Sequence, residues 1–361
     1  MIPVTRTPAQ LAALASAAVP GLNPVAAGPF PVDQGAAIDA ALVEDTEGRS
    51  WIVRASASAA AAVELNAGAA VARIVAKRLP VSVPVPRGSI GTADGGRALV
   101  HTAIPGRGLK LAAIEPDFAI ATALGQLIAT IHDQDPALFE DAGLESYTPD
   151  EYRQRRLTDL DRAASTGRVP ANLLTRWEAA LENVALWQFA SATLHGGLEG
   201  RHVLVTLDDE GEATIRGVVG WRRAKVADPA DDFAAIVREV APPAVVAIAR
   251  AYARARATRP DRHLLTRATL VAELGYVTDL FDALAAGYPQ VVEDATDRLR
   301  QLADAVHDTE LMPSGPPAGA PAAAPSDASP DATTAEVPVS PAQEGEPPAE
   351  SPPDISPSPR P

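Results

Sequence analysis

The side chains able to do chemistry gather between positions 195 and 232. One run reads Leu194-His195-Gly196-Gly197-Leu198-Glu199-Gly200-Arg201-His202-Val203-Leu204-Val205. A second, Gly217-Val218-Val219-Gly220-Trp221, passes into the basic group Arg222-Arg223-Ala224-Lys225. A third, Val226-Ala227-Asp228-Pro229-Ala230-Asp231-Asp232-Phe233-Ala234, carries three carboxylates. Histidine can move protons near neutral pH. Clustered carboxylates can hold a hard cation such as Mg²⁺, and arginines can clamp an anion. Each feature also has a plainer reading. Asp228, just before Pro229, suits a cap on the helix that follows. The basic group suits a solvated loop paired with nearby acids. His132, at a helix end without a spaced partner, suits packing or capping rather than metal binding. The chain has no cysteine, which excludes disulfides, thiolate metal sites and cysteine nucleophiles.

The elements that must position these residues follow from pattern. His202-Val203-Leu204-Val205-Thr206-Leu207 and the apolar run ending at Trp221 flank an acidic, glycine-containing turn, and so predict a hairpin. Upstream, residues 36–45 and 49–55 flank a Thr-Glu-Gly turn and predict a second hairpin. Thr7-Pro8 starts a short helix as cap and first turn. A long helix is predicted over roughly 58–78, ended by Pro80, Pro84 and Pro86, and strands are expected near 85–90 and 97–104. Phe118, Ala121, Leu124, Gly125, Ile128 and Ile131 fall at helical spacing before His132. Further helices are expected near 149–165, 171–189, 230–240, 243–256, 265–286 and 290–308. A strand-rich first part and a helical second part predict an α+β, bilobal protein. Past Leu311 the chain turns to Pro, Ala, Ser and acids, and Leu, Ile and Phe almost vanish. Residues 312–361 are therefore expected to form a disordered acidic tail that could bind a partner, with Ser340-Pro341 and Ser351-Pro352 as candidate modification or docking steps.

Charge narrows the function. The formal net charge is −15, with 46 acids against 31 bases. Phosphate backbones are bound by neutralising them, so nucleic acid is not an expected partner. No apolar stretch is long enough for a signal peptide or a membrane span, and a cytoplasmic location is expected.

The three runs, in this order, resemble the aminoglycoside/macrolide phosphotransferase family, which has a protein-kinase-like fold. That family carries His-Gly-Asp, four further residues and Asn, leading into an apolar strand. An apolar strand ending in Ile-Asp-Trp or Ile-Asp-Phe and a Gly-Asp-Pro-x-x-Asp-Leu-Ala segment follow. Ala123-Leu124-Gly125-Gln126-Leu127-Ile128-Ala129-Thr130-Ile131-His132 resembles its Leu-Gly-x-x-Leu-Ala-x-Ile-His helix, and Leu99-Val100-His101-Thr102-Ala103-Ile104-Pro105-Gly106 its hinge. The resemblance covers roughly residues 8–300. It implies an N-terminal lobe over 1–100, a hinge at 101–106 where adenine would sit, and a helical C-terminal lobe over 107–311.

What the resemblance implies for chemistry is a loss. Phosphoryl transfer depends on positioning and charge neutralisation. The family's catalytic Asp is matched by Gly197, its metal-holding Asn by His202 and its second metal carboxylate by Gly220. Glycine offers no ligand, and imidazole suits softer divalent metals than Mg²⁺. His195, Trp221, Asp228 and Asp232 match the pattern. His195 is expected to brace the loop, Asp228 to cap a turn and Asp232 to hold the loop backbone. Of the phosphate loop, only Gly35 in Val32-Asp33-Gln34-Gly35-Ala36-Ala37 is available. Arg54 stands where a phosphate-binding lysine is usual, and Glu64 on the next helix could pair with it. The expectation is a pseudokinase that binds an unknown protein or small-molecule ligand, with no required cofactor or metal and with weak ATP or GTP binding through Arg54 left open. The alternatives are a phosphotransferase or nucleotidyl transferase working with displaced acids such as Glu199, Asp208 or Asp228, and a nucleotide-free small-molecule binder.

Overall fold

The computed structural model describes residues 6–31 and 37–311. The glycine loop around Gly35 and the acidic tail lie outside the described residues.

Helix α1 (Pro8–Ala18) starts as its sequence requires, with Thr7 and Gln10 exchanging side-chain and backbone hydrogen bonds in a capping box. Strands β1 (Pro24–Pro29), β2 (Ile38–Asp45) and β3 (Ser50–Ser56) follow. The expected hairpin is present, with Val43 opposite Trp51. Asp45 ties off its turn, accepting from the backbone of Glu47 and Arg49 and from the Trp51 indole. Helix α2 (Ala59–Val75) is capped by Ser58, which accepts from the Ala61 N–H. Strands β4 (Gly88–Gly91) and β5 (Arg97–Thr102) complete an antiparallel sheet in the order β1-β2-β3-β5-β4. Strand β1 was not anticipated. It has a proline at each end, no alternation and almost no burial, and it occupies the sheet edge, where a missing ladder donor is tolerated.

After the two-residue strand β6 (Arg107–Gly108), the chain is mainly helical: α3 (Ala119–His132), α4 (Pro136–Glu140), α5 (Pro149–Ser165) and α6 (Ala171–Glu182). The helix expected over 171–189 stops early. Asn183 accepts from the Ala185 N–H and opens a separate 3-10 turn, Val184–Trp187. Strands β7 (Ala192–Leu194), β8 (Val203–Leu207), β9 (Ala213–Val218) and β10 (Lys225–Ala227) come next. The β8–β9 hairpin is the predicted one, and β6 adds to its edge. Helices α7 (Ala234–Glu239), α8 (Pro242–Ala255), α9 (Leu264–Ala286) and α10 (Pro289–Ala305) finish the described chain.

Two large cores fill the helical part. One gathers α3, α7 and α8 around Leu124, Ile128, Phe233, Ile248 and Tyr252. At Gly125 a β-carbon would lie 2.4 Å from the Ile248 carbonyl, so glycine permits the close approach of α3 to α8. The other packs α5, α6, α9 and α10 around Trp177, Trp187, Leu270 and Leu299. Helix α2 belongs to both parts of the molecule. Its Ala61, Leu65 and Ala69 pack with Ile38 and Leu99 of the sheet, while Val71, Ala72 and Val75 enter the first helical core. Among the described residues, no helix is long and apolar enough to cross a membrane.

Candidate functional site

Strand β7 pairs antiparallel with β10, Leu194 opposite Lys225, and delivers the chain to His195 at the base of a cleft. The loop that follows is held by one carboxylate. Asp232 Oδ2 accepts the His195 N–H at 2.8 Å. Its Oδ1 accepts the N–H groups of Gly196, Gly197 and Leu198 at 2.9, 2.8 and 3.2 Å. His132 closes the arrangement from behind. Its Nε2–H donates to Asp232 Oδ2 at 3.2 Å, and its Nδ1 accepts from the Tyr252 hydroxyl at 2.9 Å. Burial alone would raise the Asp232 pKa. The His132 hydrogen bond and the Gly197 N–H outweigh burial and hold it well below the usual carboxylate range. Asp232 thus accepts from four successive backbone N–H groups of the loop. The part of His132 in it was missed from sequence.

His195 is buried and neutral, its pKa lowered chiefly by burial. Its Nε2–H donates to the Val219 carbonyl at 2.8 Å, and its ring lies 4.9 Å from those of both Trp221 and His202. That is a bracing position. Gly196 takes φ +86°, and a β-carbon there would meet the Arg223 carbonyl at 1.8 Å, so the loop requires glycine at this point.

The three positions singled out from sequence come together. Gly197 has φ +135°, with no atom within 4 Å of where a β-carbon would be. His202 folds back over the loop, its Nδ1 3.1 Å from the Gly197 carbonyl and 3.2 Å from the Glu199 N–H. Gly220 has φ +90°, and a β-carbon on it would lie 2.6 Å from His202 Cδ2 and 3.0 Å from its Nε2. The imidazole thus occupies the place a side chain at 220 would need.

A Mg²⁺ ion, which the fold implies for a working phosphotransferase, wants several oxygen ligands. The residues here do not fit one. Positions 197 and 220 carry no side chain and 202 carries a ring. The nearby acids are committed elsewhere. Asp228 is fully buried, accepts the Ala230 N–H as a cap, and forms a two-pronged pair with Arg267 at 2.7 and 3.0 Å. Arg267 also reaches Asp261. Asp231 pairs with Lys225 at 2.6 Å and with Arg156 at 3.2 Å. Asp208 closes the β8–β9 turn by accepting the Glu212 N–H. At about 3.3 Å per strand residue, Asp208 is roughly 16 Å along β8 from Val203. Glu199 pairs with Arg201 at 3.0 Å. Among the described residues, no three His, Asp or Glu side chains are grouped to hold a metal.

Glu64 and Arg54, read together from sequence, have the following surroundings. Glu64 on α2 pairs with Arg222 at 3.5 Å. Helix α2 can come that close because Gly68 faces the Arg222 backbone, where a β-carbon would sit at 3.3 Å. Arg54 lies on β3 opposite Leu99 and Ala40, and its charge reaches His101. The buried cation Arg267 was also missed. Its signal was an arginine inside the apolar helix run Leu264-Leu265-Thr266-Arg267-Ala268.

The fold and loop together define a kinase-like phosphotransferase scaffold. Residues 31–265, more than half of the chain, match the phosphotransferase enzyme family, and the chain belongs to it. The structure is similar to macrolide 2'-phosphotransferase MphH from Brachybacterium faecium, with a TM-score of 0.68 and 24% identity over 81% of this chain and 98% of that one. It is also similar to wild-type aminoglycoside 2'-phosphotransferase-IIIa in its GDP complex, with a TM-score of 0.69 and 16% identity over 82% and 98% of the two chains. In sequence, the uncharacterized protein YcbJ of Bacillus subtilis (strain 168) is 30% identical over 118 residues, a stretch that spans 33% of this chain and 37% of that protein.

Proposed function

We propose that this chain is a pseudokinase, a member of the phosphotransferase family that binds a ligand or partner and does not transfer phosphate. The observation that carries the reading is the His202 ring lying where a Gly220 side chain would project. A metal ligand at 220 has been lost and its space has been filled. Gly197 supplies no group to orient an attacking hydroxyl, a role whose loss typically costs about 10²–10⁴ in rate. The ion pairs made by Glu199, Asp228 and Asp231 weigh against a displaced acid taking over.

The retained parts are the ones that keep the scaffold in shape, namely Asp232 under the loop and Asp228 under the following turn. The test is turnover of ATP and GTP by the purified full chain with Mg²⁺ or Mn²⁺, alone and with a panel of aminoglycosides and macrolides. No nucleotide consumption above a heat-inactivated control is expected. Metal-dependent turnover that disappears on His202→Ala would defeat the reading.

A further inference from the structure

A hollow lies well away from the loop, at the far end of α5. That helix begins beside the loop, where Arg156 reaches Asp231 at 3.2 Å. It closes at Thr166, about 15 Å further along the axis at the usual helical rise. There the α5–α6 turn and helix α10 flank a hollow of about 460 Å³, enough for a metabolite-sized ligand. Its walls are mainly polar. Thr166, Arg168 and Pro170 come from the turn, and Glu293, Thr296 and Arg300 from α10. Arg168 bridges the two sides. Its Nη1 donates to Glu293 Oε1 at 2.9 Å and to Thr296 Oγ1 at 3.4 Å. Thr296 is buried and donates in turn to the Val292 carbonyl at 2.8 Å, so it fixes where the guanidinium lies. Arg300 donates to Asp297 at 2.6 Å.

We infer that this hollow binds a small hydroxylated anion, a sugar phosphate or a sugar acid, with the oxyanion held by Arg168 and Arg300. The inference goes beyond the proposed function and does not depend on it, since it uses none of the positions replaced in the loop. A guanidinium carries N–H donors along more than one edge. Among the described residues, Arg168 and Arg300 each make their hydrogen bonds through Nη1 alone. The Nε and Nη2 donors form the edge that grips a phosphate or carboxylate with two parallel bonds. The acids already present do not close the site. The Arg168–Glu293 and Arg300–Asp297 pairs are open to solvent, so they are screened and hold the arginines only weakly. Glu293 meets Arg168 through Oε1, which leaves Oε2 to accept from a ligand hydroxyl. Pro170 is also the N-cap of α6 and gives it no side-chain acceptor, so the positive end of that helix reinforces the two arginines. Other ligand classes suit the hollow less. An aminoglycoside would bring ammonium groups against two guanidiniums. An apolar ligand would cover their donors without bonding them, which is costly. A hydroxylated anion meets both the cations and the Glu293 carboxylate.

Titration calorimetry on the full chain tests this, using glucose-6-phosphate, gluconate, glucose and inorganic phosphate at matched ionic strength. Glucose-6-phosphate or gluconate is expected to bind, with glucose and inorganic phosphate weaker by about tenfold or more. Arg168→Gln and Arg300→Gln should each weaken binding about tenfold, and the double variant should abolish it. Both side chains sit in solvent-open pairs, so the variants should melt close to the unaltered protein. Arg250→Gln removes an exposed charge from α8 and should leave binding unchanged. A response to glucose-6-phosphate alone would identify a phosphate site, and a response to gluconate alone a carboxylate site. Either supports the inference. Four results overturn it: no binding of either anion, equal binding of glucose or inorganic phosphate, binding unchanged in the double variant, or the same weakening by Arg250→Gln. None of these bears on nucleotide turnover, which is the separate measure of the pseudokinase reading.

Discussion

Position 220 and position 202 behave as one unit in this fold. A side chain at 220 has to adopt φ +90° and enter space that the His202 ring fills. The left-handed backbone costs a non-glycine residue about 1–2 kcal/mol, and overpacking adds about 1–3 kcal/mol. Gly220→Asp alone is therefore expected to destabilise the protein by roughly 2–5 kcal/mol. In a His202→Asn background the steric part should disappear, giving a coupling of about 1–3 kcal/mol in a urea double-mutant cycle. Simple additivity would mean that His202 does not fill the site. His101 gives a second prediction at this scale. Burial, and then the charge of Arg54, lower its pKa from 6.5 to about 4. Between those values the unfolded chain holds a proton that the folded one lacks, so stability falls as pH falls. Lowering the pH from 7 to 5 should cost about 2 kcal/mol from this group, with buried, neutral His195 acting in the same direction. His101→Gln should remove the His101 share, measured as a smaller drop in melting temperature between pH 7 and 5.

The loop from His195 to Leu198 is an element built around someone else's carboxylate. Four consecutive N–H groups converge on Asp232, which His132 holds in place. Asp232→Asn keeps the shape but sets an NH₂ group against N–H donors. It should cost about 3 kcal/mol or more and speed hydrogen exchange at Gly196, Gly197 and Leu198 well before the β2–β3 amides. Equal protection in Asp232→Asn and in the unaltered protein would show that the loop stands by itself. How much of this was legible depended on whether the partners were local. The β2–β3 and β8–β9 hairpins and the helices α3, α5 and α9 carry their periodicity and turn residues within their own spans. The backbone-holding role of Asp232 came through family resemblance to its segment. His132 read as an ordinary helix-end residue because Asp232 and Tyr252 lie 100 and 120 positions further on. Arg267 was hidden in the same way, 39 residues past Asp228. Strands β7 and β10 have three residues each, too few for a period to register, and exist because they pair with each other.

Across the molecule, the sheet and the helical part are joined by more than the chain segment between β5 and β6. Helix α2 puts Leu65 and Ala69 against the sheet and Val71, Ala72 and Val75 into the main helical core, with Gly68 against Arg222 between them. A helix shared in this way couples the two parts, since neither can open without exposing apolar surface that the other covers. It also fixes the cleft, because Arg222 cannot swing away while α2 is docked. Val75 is fully buried at this junction. Val75→Ala should destabilise the protein by roughly 1–3 kcal/mol. Because the sheet and helices share the loss, native-state hydrogen exchange should show β3 and α3 amides losing protection by the same amount. Trp51 stands alone in the sheet, with Trp177, Trp187 and Trp221 in the helical part. A Trp51→Phe variant should accordingly melt with the same midpoint by fluorescence as by circular dichroism. If β3 lost its protection while α3 kept it, α2 would belong to the sheet alone, and the cleft would be free to open around Arg222.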